Sequence, residues 1–130
     1  MNRDRYYLEI AYAVALKSTC LRKQYGAVIV KNNEIIATGY NGAPRGEEHC
    51  KVCSKCDHGK DMETYLSCRS VHAEMNAIIS AARKDMIGST LYLVCRNIDV
   101  CQPCEICRRL IKNAGIKQVI TEQGVIINNE

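Results

Sequence analysis

Apolar residues recur along the chain in two periods, and the change from one to the other marks the elements. Leu8, Ala11, Tyr12 and Ala15 fall at helical spacing. They predict an amphipathic helix over 3–23 whose stripe packs on a sheet, with Arg22 and Lys23 suited to its negative end. Its tyrosines, Tyr6, Tyr7 and Tyr12, read as core and boundary packing rather than ligand contacts. Residues 27–30 and 34–38 are β-branched runs separated by Asn32-Asn33, a pair that tolerates positive φ, so they predict a tight antiparallel hairpin. The second strand leaves through Gly39-Tyr40-Asn41-Gly42-Ala43-Pro44, a turn-rich exit. Periodicity then disappears over 45–69, where Cys, His, Glu, Lys and Asp crowd together. A loop of that length in a compact domain is functional, disordered or held by something.

Helical spacing returns over 71–84, with Met75, Ile78, Ile79 and Ala82 on one stripe. Residues 90–94 form a short apolar run read as a strand. After a polar connection, Pro103 suits the first turn of a helix reaching Ala114, and Gly115 suits its stop. Residues 118–121 and 124–127 predict two more strands, turned by Glu122-Gln123-Gly124. Helices and strands alternating in this way predict an α/β fold.

Composition narrows the class. The 130 residues suit one domain, without repeats or linkers. With no Phe and no Trp, the core must be aliphatic, helped by some of the seven Tyr. A net charge of +4 and a pI of about 8.6 give mild attraction to phosphates. The dense basic run of a dedicated nucleic-acid binder is missing; a mononucleotide suits the charge equally well, and no stable nucleic-acid partner is expected. The start lacks an apolar signal segment and no run is long enough to span a membrane, so the expected location is the cytoplasm. Nine cysteines, an odd number, argue against a simple disulfide framework and for metal.

The chemistry concentrates in Val71-His72-Ala73-Glu74 and Gln102-Pro103-Cys104-Glu105-Ile106-Cys107. One imidazole and two thiolates are ligands that Zn²⁺ prefers, and three protein ligands leave a fourth position open, as in catalytic rather than structural zinc sites. Cys104 and Cys107, three apart, share a helical face, and a helix start favours a thiolate. Glu74 need not be a ligand, because a carboxylate there can carry a proton between water and substrate. On an ideal helix His72 and Glu74 lie about 200° apart, so they would reach the metal region from different sides. H-x-E followed by P-C-x-x-C is a known signature of the zinc nucleobase deaminases, and the match is complete. Each fragment alone is common in unrelated proteins; the ordered conjunction is rare.

With these residues placed, the chain resembles the cytidine and deoxycytidylate deaminase superfamily, and most closely its deoxycytidylate (dCMP) deaminase branch. The resemblance runs from the first helix to about Ile120. It rests on Ser18-Thr19-Cys20, Gly26-Ala27-Val28-Ile29, the GYNGAP loop from Gly39, His49-Cys50, Cys68, the segment from Val71 to Ile79, and Pro103 to Gly115. It implies a three-layer α/β/α sandwich with a five-stranded mixed sheet. It also implies zinc-dependent hydrolytic deamination of a cytosine nucleotide, dCMP to dUMP, with zinc on His72, Cys104 and Cys107 and Glu74 as the proton carrier. Asn41 and the Ala73 backbone become substrate contacts. An extra structural zinc is implied on Cys20, Cys50, Cys68 and a fourth ligand, Cys56, for which Cys53, His49 or His58 could substitute. A homo-oligomer, dimer or hexamer, is implied as well.

Two departures from the family pattern fall near the nucleotide. The connection from Cys95 to Gln102 is long and adds Cys95 and Cys101, and the end lacks room for the family's final helix and strand. Two rival readings follow from the residues. One keeps the chemistry but changes the substrate to free cytidine or deoxycytidine, guanine or tRNA adenosine. The other is a non-catalytic metal module, a zinc ribbon or iron–sulfur protein, built on Cys50-x₂-Cys53-x₂-Cys56 and Cys101-x₂-Cys104-x₂-Cys107. That module leaves His72 and Glu74 without a role.

Overall fold

The computed structural model describes residues 1–49, 68–98 and 100–129. Helix α1 (Arg3–Ala15) starts at Asn2, whose side-chain oxygen accepts from the Arg5 N–H at 2.8 Å. Such a cap satisfies one of the orphan amides of the first turn. The helix ends eight residues short of the expected Lys23. Ser18 turns away instead, and its hydroxyl donates to the Asn41 side chain at 2.6 Å. A Ser hydroxyl that finds a partner outside the helix favours an end over continuation.

Strands β1 (Tyr25–Lys31) and β2 (Glu34–Tyr40) form the expected hairpin, with Asn32 and Asn33 at φ 52° and 61°. Helix α2 (Ala73–Ser80) is shorter than its apolar pattern implied. A separate turn, α3 (Arg83–Met86), follows after an extended break at Ala81. Neither Gly nor Pro marks that break. The Arg83 guanidinium donates to the Asn113 carbonyl at 2.7 Å, a tertiary bond invisible to local pattern. Strand β3 (Thr90–Cys95), helix α4 (Glu105–Ala114), β4 (Gln118–Thr121) and β5 (Gly124–Asn128) complete the described elements. Gly115 ends α4 in the left-handed conformation at φ 87°, as its position predicts.

The sheet order is β2-β1-β3-β4-β5. β1 is antiparallel to both β2 and β3, β4 runs parallel to β3, and β5 folds back antiparallel on β4. A parallel neighbour needs a crossover, which α4 supplies. Along β1, Val28 and Val30 face α1, while Ala27 and Ile29 face the layer that contains α2. The mixed sheet therefore lies between helices on both faces, the expected three-layer sandwich. Burial on both faces explains why β1 and β3 read as continuous apolar runs rather than alternating ones.

The stripe expected on α2 is corrected. Its buried positions are Ala73, Glu74 and Ala77, whereas Ile79 is 76% exposed and Ala82 lies beyond the helix. The reason is close approach to the sheet: a Cβ on Gly39 of β2 would lie 2.3 Å from the Ala73 carbonyl and 2.5 Å from the Ala77 nitrogen. Only small residues fit between α2 and the strand beneath it.

Candidate metal centre

β2 ends at Tyr40, and two residues later Gly42 pairs with Val71 through Val71 N–H to Gly42 O at 2.7 Å and Gly42 N–H to Val71 O at 3.2 Å. That bridge delivers the chain to His72, which caps α2 in an extended conformation. Asn76, one turn on, donates to the Tyr40 carbonyl at 2.8 Å and ties the start of α2 to the end of β2. Cys104 stands at the corresponding place on α4. It is the N-cap, and its sulfur accepts from the Cys107 N–H at 3.4 Å. Pro103 thus precedes the cap rather than lying in the first turn.

The two helix starts bring the ligand atoms together. His72 Nδ1 lies 3.5 Å from Cys104 Sγ and 3.4 Å from Cys107 Sγ, and all three atoms fall within 4.8 Å of one another. Nitrogen and sulfur donors held tetrahedrally on one zinc, at about 2.0 and 2.3 Å from it, stand about 3.5 Å apart. The donor set and its spacing fit that ion. Among the described residues, this is the group able to hold a metal.

Glu74 is buried in the first turn of α2, at 4% exposure. The ideal-helix separation of His72 and Glu74 does not apply, because His72 lies outside the helix in extended backbone. Burial raises the Glu74 carboxyl above its usual range. A hydrogen bond from Cys107, then one from His72, pulls Cys104 down to about 4, while the bond to Cys104 and burial push Cys107 up. His72 is raised, chiefly by its bond to Cys104. Of the two thiols, Cys104 is thus the one whose surroundings favour the thiolate.

The other expected site residues are placed as follows. Asn41 is buried, and its side-chain oxygen accepts from Ser18 Oγ and, at 2.9 Å, from the Tyr25 N–H, while its Nδ2 donates to the Lys23 carbonyl at 2.7 Å. Its first work is to hold segment 18–25 against the exit of β2, which leaves one N–H of the amide for a ligand. Ala73 is fully buried as the first residue of α2. Cys20 and Cys68 are half-buried and His49 is exposed. Cys50, Cys53, Cys56 and His58 lie outside the described residues.

Cys95 and Cys101 are buried thiols in the core beneath α2, directed to the Asn97 side chain at 3.2 Å and to the Leu93 carbonyl at 3.5 Å. Burial pushes Cys101 up to about 12, and it stands apart from the metal-ligand group. Sequence reasoning passed over Tyr25, which also packs on this face. Its one signal was its position, opening β1 just ahead of Gly26.

Residues 1–123 match the family model described as the cytidine and deoxycytidylate deaminase zinc-binding region. The chain is 41% identical to the deoxycytidylate deaminase of Mycobacterium phage D29, over 90% of this chain and 91% of that one. It is 39% identical to the deoxycytidylate deaminase of Schizosaccharomyces pombe over 90% of its own length, but spans 36% of that longer protein. Among solved structures it resembles the dCMP deaminase of cyanophage S-TIM5 in complex with dCMP and dUMP. The identity is 29% and the TM-score 0.70, covering 93% of this chain and 82% of that one. Family model, relatives, fold and ligand geometry agree: this chain belongs to the cytidine and deoxycytidylate deaminase zinc-binding family.

Proposed function

We propose that the protein is a zinc-dependent hydrolase that converts dCMP and water to dUMP and ammonia. The observation that carries this reading is the convergence of His72 Nδ1, Cys104 Sγ and Cys107 Sγ beside the buried Glu74. The deoxycytidylate deaminases among its relatives support the substrate, and the rival substrates and the metal module have no comparable support.

His72, Cys104 and Cys107 would hold the zinc, which would supply Lewis acidity that brings the pKa of water towards about 7. Glu74 takes a proton from the attacking water and places it on N3 of the cytosine ring as the water oxygen joins C4. It then takes the proton of the new C4 hydroxyl and hands it to the amino group, so that ammonia leaves as the C4 carbonyl of uracil forms. Its burial suits this work, because a carboxyl in an apolar setting accepts and releases a proton nearer neutral pH than one in water. The remaining N–H of Asn41 and the backbone of Ala73 orient the nucleotide.

The same reading treats 1–130 as one deaminase domain with a Cys/His-rich segment at 45–70. That segment holds a second, structural zinc on Cys20, Cys50, Cys56 and Cys68, with Cys53 or His49 as substitutes. Cysteine composition and the family resemblance support it. The protein works as a cytoplasmic homo-oligomer, a dimer or hexamer, without a stable nucleic-acid partner.

Turnover assays across dCMP, CMP, deoxycytidine, guanine and tRNA, run beside zinc analysis, test the whole reading. Preferred turnover of dCMP with two zinc per chain is expected. Preference for another substrate overturns the substrate, and one zinc per chain overturns the structural site.

A further inference from the structure

Tyr25 opens β1, the strand that lies between β2 and β3. The register sets Gly26 opposite Tyr40 and Tyr25 opposite Cys95, so Tyr25 stands at the end of the sheet where β2 and β3 finish. Helices α2 and α4 both start after those strand ends. Side chains alternate along a strand. Gly26 faces α1, where an added Cβ would lie 2.1 Å from the Ala11 carbonyl, so Tyr25 faces the opposite layer. There it packs against the cluster that contains Ala73, Cys95 and Cys101. Its backbone N–H is bonded to Asn41, the residue before the Gly42–Val71 bridge that leads to His72.

The hydroxyl is distinctive. On the α1 side, the hydroxyls of Tyr7, Tyr12 and Tyr92 bond to Asn33, Glu122 and Asp4. The Tyr25 hydroxyl, on a half-buried side chain, makes no hydrogen bond to a described residue. Burial raises the pKa of this phenol, and Cys95, Cys101, Glu74 and Cys104 push it the same way, so it stays protonated and offers an O–H donor. Ala73, in the cluster on which Tyr25 packs, opens α2 between His72 and Glu74 and so marks the reacting end of the site.

We propose that Tyr25 is a substrate-binding residue: its ring floors the pyrimidine subsite between the starts of α2 and α4, and its O–H donates to an acceptor on the base of a cytosine nucleotide. This assignment rests on the deaminase reading above and extends it to a residue outside the signature motifs.

The test compares zinc-loaded wild type with Tyr25→Phe, which removes one oxygen, and Tyr25→Leu, which removes the ring. KM for dCMP and deoxycytidine is measured by turnover, the Kd of dUMP by calorimetry, and folding by thermal unfolding. Loss of one hydrogen bond predicts that Tyr25→Phe raises KM for dCMP and the Kd of dUMP by about 2- to 10-fold, with a larger rise for Tyr25→Leu. The ratio of KM values for dCMP and deoxycytidine should stay as in wild type, because the base is common to both. Equal dUMP affinity in wild type and Tyr25→Phe overturns the contact, and a changed ratio overturns its assignment to the base. Wild type is read first: absent dCMP turnover overturns the deaminase reading itself and takes Tyr25 with it. Normal wild-type turnover beside an unaffected Phe variant removes the role of Tyr25 alone.

Discussion

On one face of the sheet, Val28, Val30, Tyr92 and Val94 meet Tyr7, Leu8, Ala11 and Ala15 of α1, with the rings of Tyr7 and Tyr92 5.3 Å apart. On the other, Ala27, Ile29, Leu91 and Leu93 meet Ala73 and Ala77 of α2 and Ile111 and Ala114 of α4, with Cys95, Cys101 and Cys107 among the buried groups. The first face keeps its polar groups at the rim and pairs them: Arg5 and Tyr12 both bind Glu122, and Asp4 accepts from Tyr92. The second buries a carboxyl, Glu74, and a thiol, Cys107, in the first turns of two helices. One face works as scaffold. The other carries the costlier polar burial that the chemistry requires.

The largest expected effects separate metal from proton transfer on the second face. Cys107→Ala should lose both the catalytic zinc and turnover, whereas Glu74→Gln should keep that zinc and lose about 10²- to 10⁴-fold in kcat. Zinc analysis beside kinetics reads both, and a Glu74→Gln enzyme of normal rate would remove the proton carrier from the mechanism. Next comes Gly39→Ala. It must displace Ala73 and Ala77, and a shift near 1 Å at the start of α2 predicts about 100-fold lower kcat/KM. The stability cost should be about 1–3 kcal/mol.

Leu8→Ala on the scaffold face is the counterpart. Urea unfolding should show a loss of about 2–5 kcal/mol, while the folded enzyme keeps its kcat/KM. A Leu8→Ala enzyme that folds but fails to turn over would break the division between the faces.

The smallest effect is at the rim. Arg5 first, then Tyr12, holds the Glu122 carboxyl below its usual range. A group with a depressed folded pKa contributes stability above its unfolded value and loses it as pH falls through the folded one. Wild type should therefore exceed Glu122→Gln by less than about 1 kcal/mol at neutral pH, the pair being exposed. That difference should close below about pH 4, as measured by unfolding across pH.

What could be read from sequence was local. Asn32-Asn33 set a hairpin by their tolerance of positive φ, Gly115 closed α4, and the two signature segments named the metal ligands because their chemistry resides in residue type and spacing. What could not be read depends on contacts between distant segments. The end of α1 is set by Ser18 reaching Asn41, and the break after Ser80 by Arg83 reaching Asn113. Ile79 misled the helical stripe because α2 lies so close to Gly39 that alanine, not isoleucine, faces the sheet. The buried role of Asn41 in holding segment 18–25 was equally hidden, since its partners lie 16 to 23 residues away.

The Gly42–Val71 bridge also closes a long length of chain on itself. The entropy of closing the chain between those residues grows only slowly with its length, about 0.6 kcal/mol per doubling, so closure at these two backbone hydrogen bonds depends little on how many residues lie between them. The bridge therefore sets where α2 begins, and His72 with it, independently of the length of chain that separates its two halves.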